Sequence, residues 1–402
     1  MQCSIPESPT RAKKRTPLSL PTIGILGGGQ LARMLVLNAH QMGITCWVLS
    51  PSIDDPAAQV TQNWIKGSPN SLNQLTQLFS KSTVITFESE FISTATLKKA
   101  SKGFRKIQIL PSLSLMETIQ DRFSQKELLS QYHLPTAPYF KIENKSDILE
   151  AYDHFKGRVV FKKRMFGYDG HGTVIIKNKK QLDLFIANWL SHEPKKTVLK
   201  GSMDLSKKWI AEKWIPFRRE LAFSIARNPR GQKVCLPWVQ THQVDSRCLW
   251  VKGPIPQTSV IKKLSQKICK MLDALQYVGL FSVEVFDDGT SLLINELAPR
   301  VHNSAHYSMD ALSINQFELH LLAVLDQDLP TPRLRSPGFS MLNLIGGSPT
   351  TPFWSPPQHS QLHWYGKIEN RPGRKMGHLT ALGASANEAY KWVMRDRKTF
   401  EL

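Results

Sequence analysis

The first hydrophobic pattern in the chain is a short apolar run, Thr22–Leu26, followed by Gly27-Gly28-Gly29-Gln30. Apolar positions then recur at helical spacing from Leu31 to Met42, and a second apolar run covers Ile44–Leu49. Strand, glycine turn, helix and strand in that order predict a right-handed parallel unit. Val84–Phe87 reads as another strand of this unit, ending at Glu88 and Glu90. Acids at the carboxyl end of such a strand stand where open α/β sheets bind ligands. Ser112–Gln131 reads as helix, with Asp121 and Arg122 inside it, and Leu134–Pro138 breaks it.

Downstream the period shortens. Val159–Lys162 and Val174–Ile176 read as strands around the loop Phe166–Thr173, which carries Gly167, Gly170 and Gly172. Trp209–Ile215 and Glu220–Ile225 read as two strands joined by a short linker, and Val260–Leu275 as a helix. Ser282–Phe286, the turn Asp287–Gly289 and Leu292–Glu296 form a hairpin, and Ser313–Leu325 is a further helix. Pro330 and Pro332 mark a boundary, beyond which strand-like runs alternate with a proline loop at Pro352–Pro357. There is no internal repeat. The pattern divides the chain into a basic tail (1–20), a parallel-sheet domain (21–120), a central domain (121–333) and a small β-rich domain (334–402). The fold class is α/β, α+β taken over the whole chain.

The hairpin carries the most chemistry. Glu284 and Glu296 lie on neighbouring strands, and Asn295 stands beside the second. Hard oxygen ligands of this kind suit Mg²⁺, which usually arrives with nucleotide phosphates. The two glutamates share a face only if the loop between the strands has an odd residue count, because side chains alternate along a strand. Arg300 and His302 follow at once, as an anionic second substrate requires. Lys162, just upstream of the glycine loop, supplies a positive donor beneath a flap able to cover phosphates. The loop is not a Walker A motif, since no Gly-Lys-Ser/Thr ends it. The strand ending at Glu212 offers backbone donors and acceptors to an adenine edge, and Glu220 could hold ribose hydroxyls. Gly27, Gly29 and Ala32 satisfy G-x-G-x-x-A, but strand two ends in Leu49-Ser50-Pro51, where the ribose-binding acid of an NAD site should stand. NAD is therefore rejected. The glycines still let helix-start amides approach an anion.

Composition narrows the classes. At 402 residues and 41% hydrophobic content the chain can bury two or three cores, and no apolar run is long enough to span a bilayer. Cys3, Cys46, Cys235, Cys248 and Cys269 are dispersed, with no C-x-x-C pair, which suits a reducing cytoplasm. The net charge of +20 attracts anions of every kind. No zinc finger, aromatic RNA-binding strand or dense basic helix accompanies it, which argues against nucleic acid as a partner. Residues 1–20 contain Arg11, Lys13, Lys14 and Arg15 without an apolar core, so no secretory signal is expected. Glu7 and three prolines oppose an amphipathic organelle-targeting helix there.

Taken together, the lysine before the flap, the linker with its downstream Glu220 and the Glu284…Asn295-Glu296 pair resemble the ATP-grasp ligases. Four further motifs narrow the resemblance to the N5-carboxyaminoimidazole ribonucleotide synthases of purine biosynthesis. They are Gly27-Gly-Gly-Gln-Leu31, Gly167-Tyr-Asp-Gly170, Asn295-Glu-Leu-Ala-Pro-Arg-Val-His-Asn-Ser304, and Tyr365-Gly-Lys367 with Arg371-Pro-Gly-Arg-Lys-Met-Gly-His378. The resemblance runs from about Thr22 to the C-terminus. It implies an ATP-grasp fold with a Rossmann-like N-terminal domain. It also implies a homodimer, and carboxylation of 5-aminoimidazole ribonucleotide with ATP and bicarbonate through carboxyphosphate.

Carried over by position, it gives Arg122, Lys162 and the flap residues Gly167, Tyr168, Asp169, Gly170, His171, Gly172 and Thr173 to the ATP phosphates. Glu212, Lys213, Trp214 and Ile215 take adenine, Glu220 the ribose, and His242 also stands at the nucleotide. Asn295 and Glu296 meet ATP, while Glu284 and Glu296 hold Mg²⁺, with Mn²⁺ as an alternative. Gln30, Arg300, His302, Lys367 and Arg374 bind the ribonucleotide. Tyr168, Asp169, His171 and Glu88 line the carboxylation centre, Asp169 being the candidate base. The chain departs from the family pattern at His171, where Lys or Arg is usual, and at Val301 and Ala305, which replace Pro and Gly. Two alternatives stay open: another ATP-grasp ligase acting on a ribonucleotide, such as a formate-using transformylase, and a basic nucleic-acid-binding protein that keeps the fold. ADP release that depends on bicarbonate and is stimulated by the aminoimidazole ribonucleotide would favour the synthase reading over the first. Steep salt-dependent DNA binding without ATP hydrolysis would favour the second.

Overall fold

A computed structural model describes residues 21–165, 167, 172–191, 208–347 and 353–401. Residues 1–20, Tyr168, Asp169, Gly170 and His171 lie outside these. Five parallel strands form the N-terminal sheet: β1 (Ile23–Leu26), β2 (Cys46–Ser50), β3 (Trp64–Lys66), β4 (Val84–Phe87) and β5 (Gln108–Ile109), in the order β3-β2-β1-β4-β5. β1 and β4 are buried along their whole length, as strands covered on both faces must be. The helix after β1 spans Gln30–Gln41.

The expected helix over Ser112–Gln131 is two helices, Leu113–Gln120 and Arg122–Gln131. Asp121 breaks it. Its backbone is extended, its carboxylate accepts the Phe123 amide proton at 2.9 Å, and Arg164 pairs with it. A side chain that caps a helix start competes with helix continuation.

A four-stranded antiparallel sheet follows: β6 (Tyr139–Ile142), β7 (Val159–Lys163), β8 (Thr173–Ile176) and β9 (Trp209–Lys213), ordered β6-β9-β7-β8. The largest sheet has nine strands. They are β10 (Arg219–Arg227), β11 (Lys233–Cys235), β12 (Val239–Val244), β13 (Arg247–Gly253), β14 (Gly279–Asp287), β15 (Leu292–Ala298), β16 (Gly338–Ile345), β18 (Gln361–Trp364) and β19 (Lys375–Gly383). A separate short pair joins β17 (Phe353–Trp354) to β20 (Phe400–Glu401).

β9 and β10, adjacent in sequence, thus belong to different sheets, and the linker between them crosses the gap that becomes the cleft. β16 pairs with β13 along Trp250↔Leu342 to Gly253↔Phe339, so the C-terminal strands extend the central sheet without a break at Pro330. The helix expected over Ser313–Leu325 spans Gln316–Val324, because a capping box between Asn315 and Glu318 sets its start.

One core joins the N-terminal sheet to the large one, running from Ile23 and Leu35 through Phe317 to Phe339 and Tyr365. Two buried polar contacts fix that junction. Asn315 donates to Asn38 at 2.7 Å. His320 accepts the Leu280 amide proton on Nδ1 at 3.1 Å, which leaves Nε2–H to donate to Thr86 at 2.8 Å. Burial pushes the His320 pKa down to about 4, so the ring stays neutral in this role.

Candidate active site

The hairpin β14–β15 sets the acidic pair. Asp287 opposes Leu292, so a regular ladder would place Asn295 opposite Glu284. A bulge intervenes between Glu284 and Val285, and Glu284 faces Glu296 directly. Asn295 is the extra residue, and the bulge restores the shared face that alternation requires. Burial, and then the charges of Glu296 and Glu220, push the Glu284 carboxyl up to about 8. Two carboxylates forced together in this way form a site that a divalent cation would relieve. Arg122 pairs with Glu296 at 3.2 Å, and His302 Nε2 lies 3.7 Å from Glu284. Beside the pair, Lys162 Nζ donates to Asn295 Oδ1 at 3.0 Å.

Lys162 also donates to Glu212 at 3.0 Å, and Lys126 pairs with the same oxygen of Glu212 at 3.3 Å. Lys126 is almost wholly buried, and burial pulls its ammonium down to about 8. Burial opposes the Glu212 charge as well, yet Lys126, Lys162 and Arg122 hold that carboxyl at about 2. The Glu212 side chain is thereby committed to organising cations, and its backbone is what remains to meet a base. Arg122 reaches further and donates to the Gly167 carbonyl at 3.1 Å, which ties it to the flap.

Between the two sheets lies a cleft of about 600 Å³, within the size range of small-ligand sites. Its floor holds Glu284, Asn295 and Glu296. One wall brings Arg122, Lys162, Gly167 and Thr173, and the far end Glu212 to Ile215, Glu220 and His242. His242 stacks on Trp250, ring centroids 5.0 Å apart. Burial pushes the Glu220 carboxyl up to about 7.

Arg300 and His302 also line this cleft, on the side nearer the N-terminal domain. Arg300 donates to both oxygens of Glu90, so an acid at the end of β4 holds the arginine that follows β15. Glu88 does something the sequence did not reveal. Its carboxylate accepts the amide protons of Gly29 at 2.7 Å and Ala32 at 3.2 Å. The anion at the glycine turn is therefore the protein's own. A Cβ at Gly27, where φ is +109°, would come within 2.4 Å of Glu88, and one at Gly29 within 2.7 Å. Glycine is required at both positions by this close approach.

Gln30, Glu88, Gly172, Lys367 and Arg374 do not line the cleft itself. Gln30 begins the helix that Glu88 caps, and the charges of Arg300 and Lys367 act on Glu88, so these groups form a wing beside the cleft. Gln59 donates to the Gly366 carbonyl at 2.7 Å and so steadies the turn that carries Lys367. Arg374 donates to the Glu369 carbonyl at 3.2 Å. Lys126 and Gln59 carried no recognisable sequence signal, and Glu90 was legible only as an acid at a strand's end, without its partner. Their roles depend on partners 210 and 307 residues away, for Glu90 and Gln59, or on burial, for Lys126. Val301 and Ala305 are fully buried in the core behind Arg300 and His302.

Three family models match in succession: a ribonucleotide synthetase preATP-grasp domain over residues 20–120, an ATP-grasp domain over 127–317, and a phosphoribosylaminoimidazole carboxylase C-terminal domain over 340–391. The N5-carboxyaminoimidazole ribonucleotide synthase of Synechocystis sp. is 34% identical over 384 residues, covering 90% of this chain and 92% of that protein. The chain belongs to the N5-carboxyaminoimidazole ribonucleotide synthase family. Its counterpart in Synechococcus elongatus is 32% identical, with 91% of each chain covered. Among solved structures, the N5-carboxyaminoimidazole synthetase of Staphylococcus aureus with ADP superposes with a TM-score of 0.81 at 29% identity, covering 94% of this chain and 97% of that one. The Aspergillus clavatus synthase, in complex with ADP and 5-aminoimidazole ribonucleotide, gives 0.80 at 28% identity and coverage of 94% and 98%. As a member of this synthase family the chain is an ATP-grasp ligase. No helix among the described residues is long and apolar enough to cross a membrane.

Proposed function

We propose that the cleft transfers the γ-phosphoryl group of ATP to bicarbonate, giving ADP and carboxyphosphate. Carboxyphosphate breaks down to CO₂ and phosphate, and the exocyclic amine of 5-aminoimidazole ribonucleotide captures the CO₂ and loses a proton. The observation that carries this reading is the meeting, in one cleft, of an acidic pair at the Glu284↔Glu296 register with Lys162 and Arg122 on one side and Arg300 and His302 on the other.

Phosphoryl transfer depends chiefly on placing positive charge around oxygens. Lys162 and Arg122 supply that charge to the phosphates, and from sequence Gly167 to Thr173 contact the phosphates as well. The backbone of Glu212 to Ile215 takes the adenine edge, Glu220 the ribose, and the His242 ring adds an apolar edge at that end. Glu284 and Glu296 would hold Mg²⁺, which when bound neutralises charge on the transferring phosphate. Arg300, His302, Lys367, Arg374 and Gln30 take the ribonucleotide. From sequence, Tyr168, Asp169, His171 and Glu88 belong to the carboxylation centre, with Asp169 as base. Homodimerisation belongs to the same reading, as does partition into the domains 21–120, 121–333 and 334–402. The test is ADP release from ATP and Mg²⁺: it should need bicarbonate and rise on addition of 5-aminoimidazole ribonucleotide.

A further inference from the structure

Away from the nucleotide cleft, the helix Ser308–Ala311 meets β18 and β19 through a compact group of ligating side chains. Asp310, His363 and His378 each offer a donor atom, and the three atoms lie within 4.8 Å of one another. His363 and His378 face each other across the β18–β19 ladder and stack with centroids 4.6 Å apart. His363 Nε2 already meets Asp310 Oδ2 at 2.9 Å. His378 is fully buried, its Nδ1 bonded to the Tyr365 hydroxyl at 2.8 Å, while its Nε2 has no hydrogen-bond partner among the described residues. A buried polar nitrogen left unpaired is costly and calls for an explanation.

We propose that Asp310, His363 and His378 form a binding site for a divalent transition-metal ion of the Zn²⁺ class. Two imidazoles and one carboxylate are a donor set suited to such an ion, whereas Mg²⁺ prefers oxygen alone. The Tyr365 hydroxyl acts as the outer partner that ligating histidines usually have: with Nδ1–H donated to it, Nε2 of His378 presents a lone pair. Burial keeps the His378 ring neutral, which is the ligating form. Asp310 also lines a cavity of about 460 Å³ with Thr380 and Gln361, a route for water to a fourth position. Arg335 lines that cavity too, so attraction for a hard cation is weak there and imidazole ligation must carry the selectivity. Bound metal would tie the helix Ser308–Ala311 to the strands flanking the Tyr365–Lys367 turn.

The full-length protein, stripped with a chelator, is titrated with Co²⁺ in saturating Mg²⁺, which occupies the carboxylate pair. One Co²⁺ per chain should bind, with visible d–d absorption that Zn²⁺ abolishes, and metal should raise the melting temperature. Asp310→Asn and His363→Gln should each weaken binding roughly tenfold or more, circular dichroism showing both folded in chelator. Should either variant fail to fold, X-ray absorption at the cobalt edge of the wild-type protein decides, with two imidazoles expected. Absence of Co²⁺ uptake, unchanged affinity in both folded variants, or a shell of oxygen alone would overturn the proposal.

Discussion

Arg300 holds Glu90 with two hydrogen bonds, across 210 residues of sequence, one of them 3.0 Å long. The pair joins the end of the fourth parallel strand to the exit of the acidic hairpin. It therefore ties the N-terminal wing to the cleft floor that carries Glu284 and Glu296. Burial opposes the Glu90 charge, but Arg300 overrides it and holds the carboxyl below its ordinary range.

Glu90→Gln removes one charge of this pair and leaves the buried guanidinium uncompensated. Breaking a pair of this kind costs on the order of 3 kcal/mol. Urea unfolding should show that loss, and the KM for 5-aminoimidazole ribonucleotide should rise more than that for ATP. Equal effects on both substrates would mean that Arg300 serves the whole cleft rather than its ribonucleotide side.

Glu296→Gln keeps shape and loses charge opposite Glu284. Turnover should fall by at least a factor of about 100, since the removed charge stabilises a phosphoryl-transfer arrangement built almost wholly on electrostatics. The melting temperature should stay close to wild type, because Glu296 is partly exposed and its pairing with Arg122 is offset by its crowding against Glu284. Near-normal activity in a normally folded variant would remove Glu296 from the metal site.

Glu284 makes metal binding depend on pH. Burial, and then the charges of Glu296 and Glu220, raise its carboxyl from 4.5 to about 8 in the folded protein. Stability from the protonated form is present in full below about 4.5 and is lost as pH rises to about 8. A divalent cation needs the ionised form, so binding below pH 8 releases a proton. Mg²⁺ affinity should weaken by up to about tenfold per unit as pH falls below 8. Calorimetry at pH 7 in two buffers of different ionisation enthalpy should report proton release, and Glu284→Gln should abolish it.

Lys367→Ala and Arg374→Ala should each raise the KM for 5-aminoimidazole ribonucleotide, by roughly tenfold or more if each contact contributes about 1.5–3 kcal/mol. The KM for ATP should hold. A larger effect on ATP would show that the two basic residues serve the nucleotide, and Arg374, which points toward Glu369, is the more exposed of the two to that outcome.

Much of this arrangement is legible in the sequence, because local rules dictate it. Buried parallel strands read as apolar runs, and the strand, glycine loop and strand around Lys162 follow from turn chemistry. What the sequence hides depends on partners far away or on register. Alternation along β15 cannot announce the bulge at Asn295, so the shared face of Glu284 and Glu296 becomes visible only with the ladder. The glycine turn suggests an anion, but only the tertiary fold brings Glu88 to occupy it. Asp121 reads as an ordinary helical acid until Arg164 and the Phe123 amide are seen to claim it. The prolines at 330 and 332 suggest a boundary, yet β16 continues the central sheet, since strand pairing is blind to distance along the chain.

The most direct test of the central claim is the steady-state release of ADP by the full-length protein in ATP and Mg²⁺, with bicarbonate and 5-aminoimidazole ribonucleotide each added or withheld. The account predicts release that needs bicarbonate, rises with the ribonucleotide and yields the carboxylated ribonucleotide in proportion. Release that ignores bicarbonate, or that proceeds with the ribonucleotide left unmodified, would contradict it.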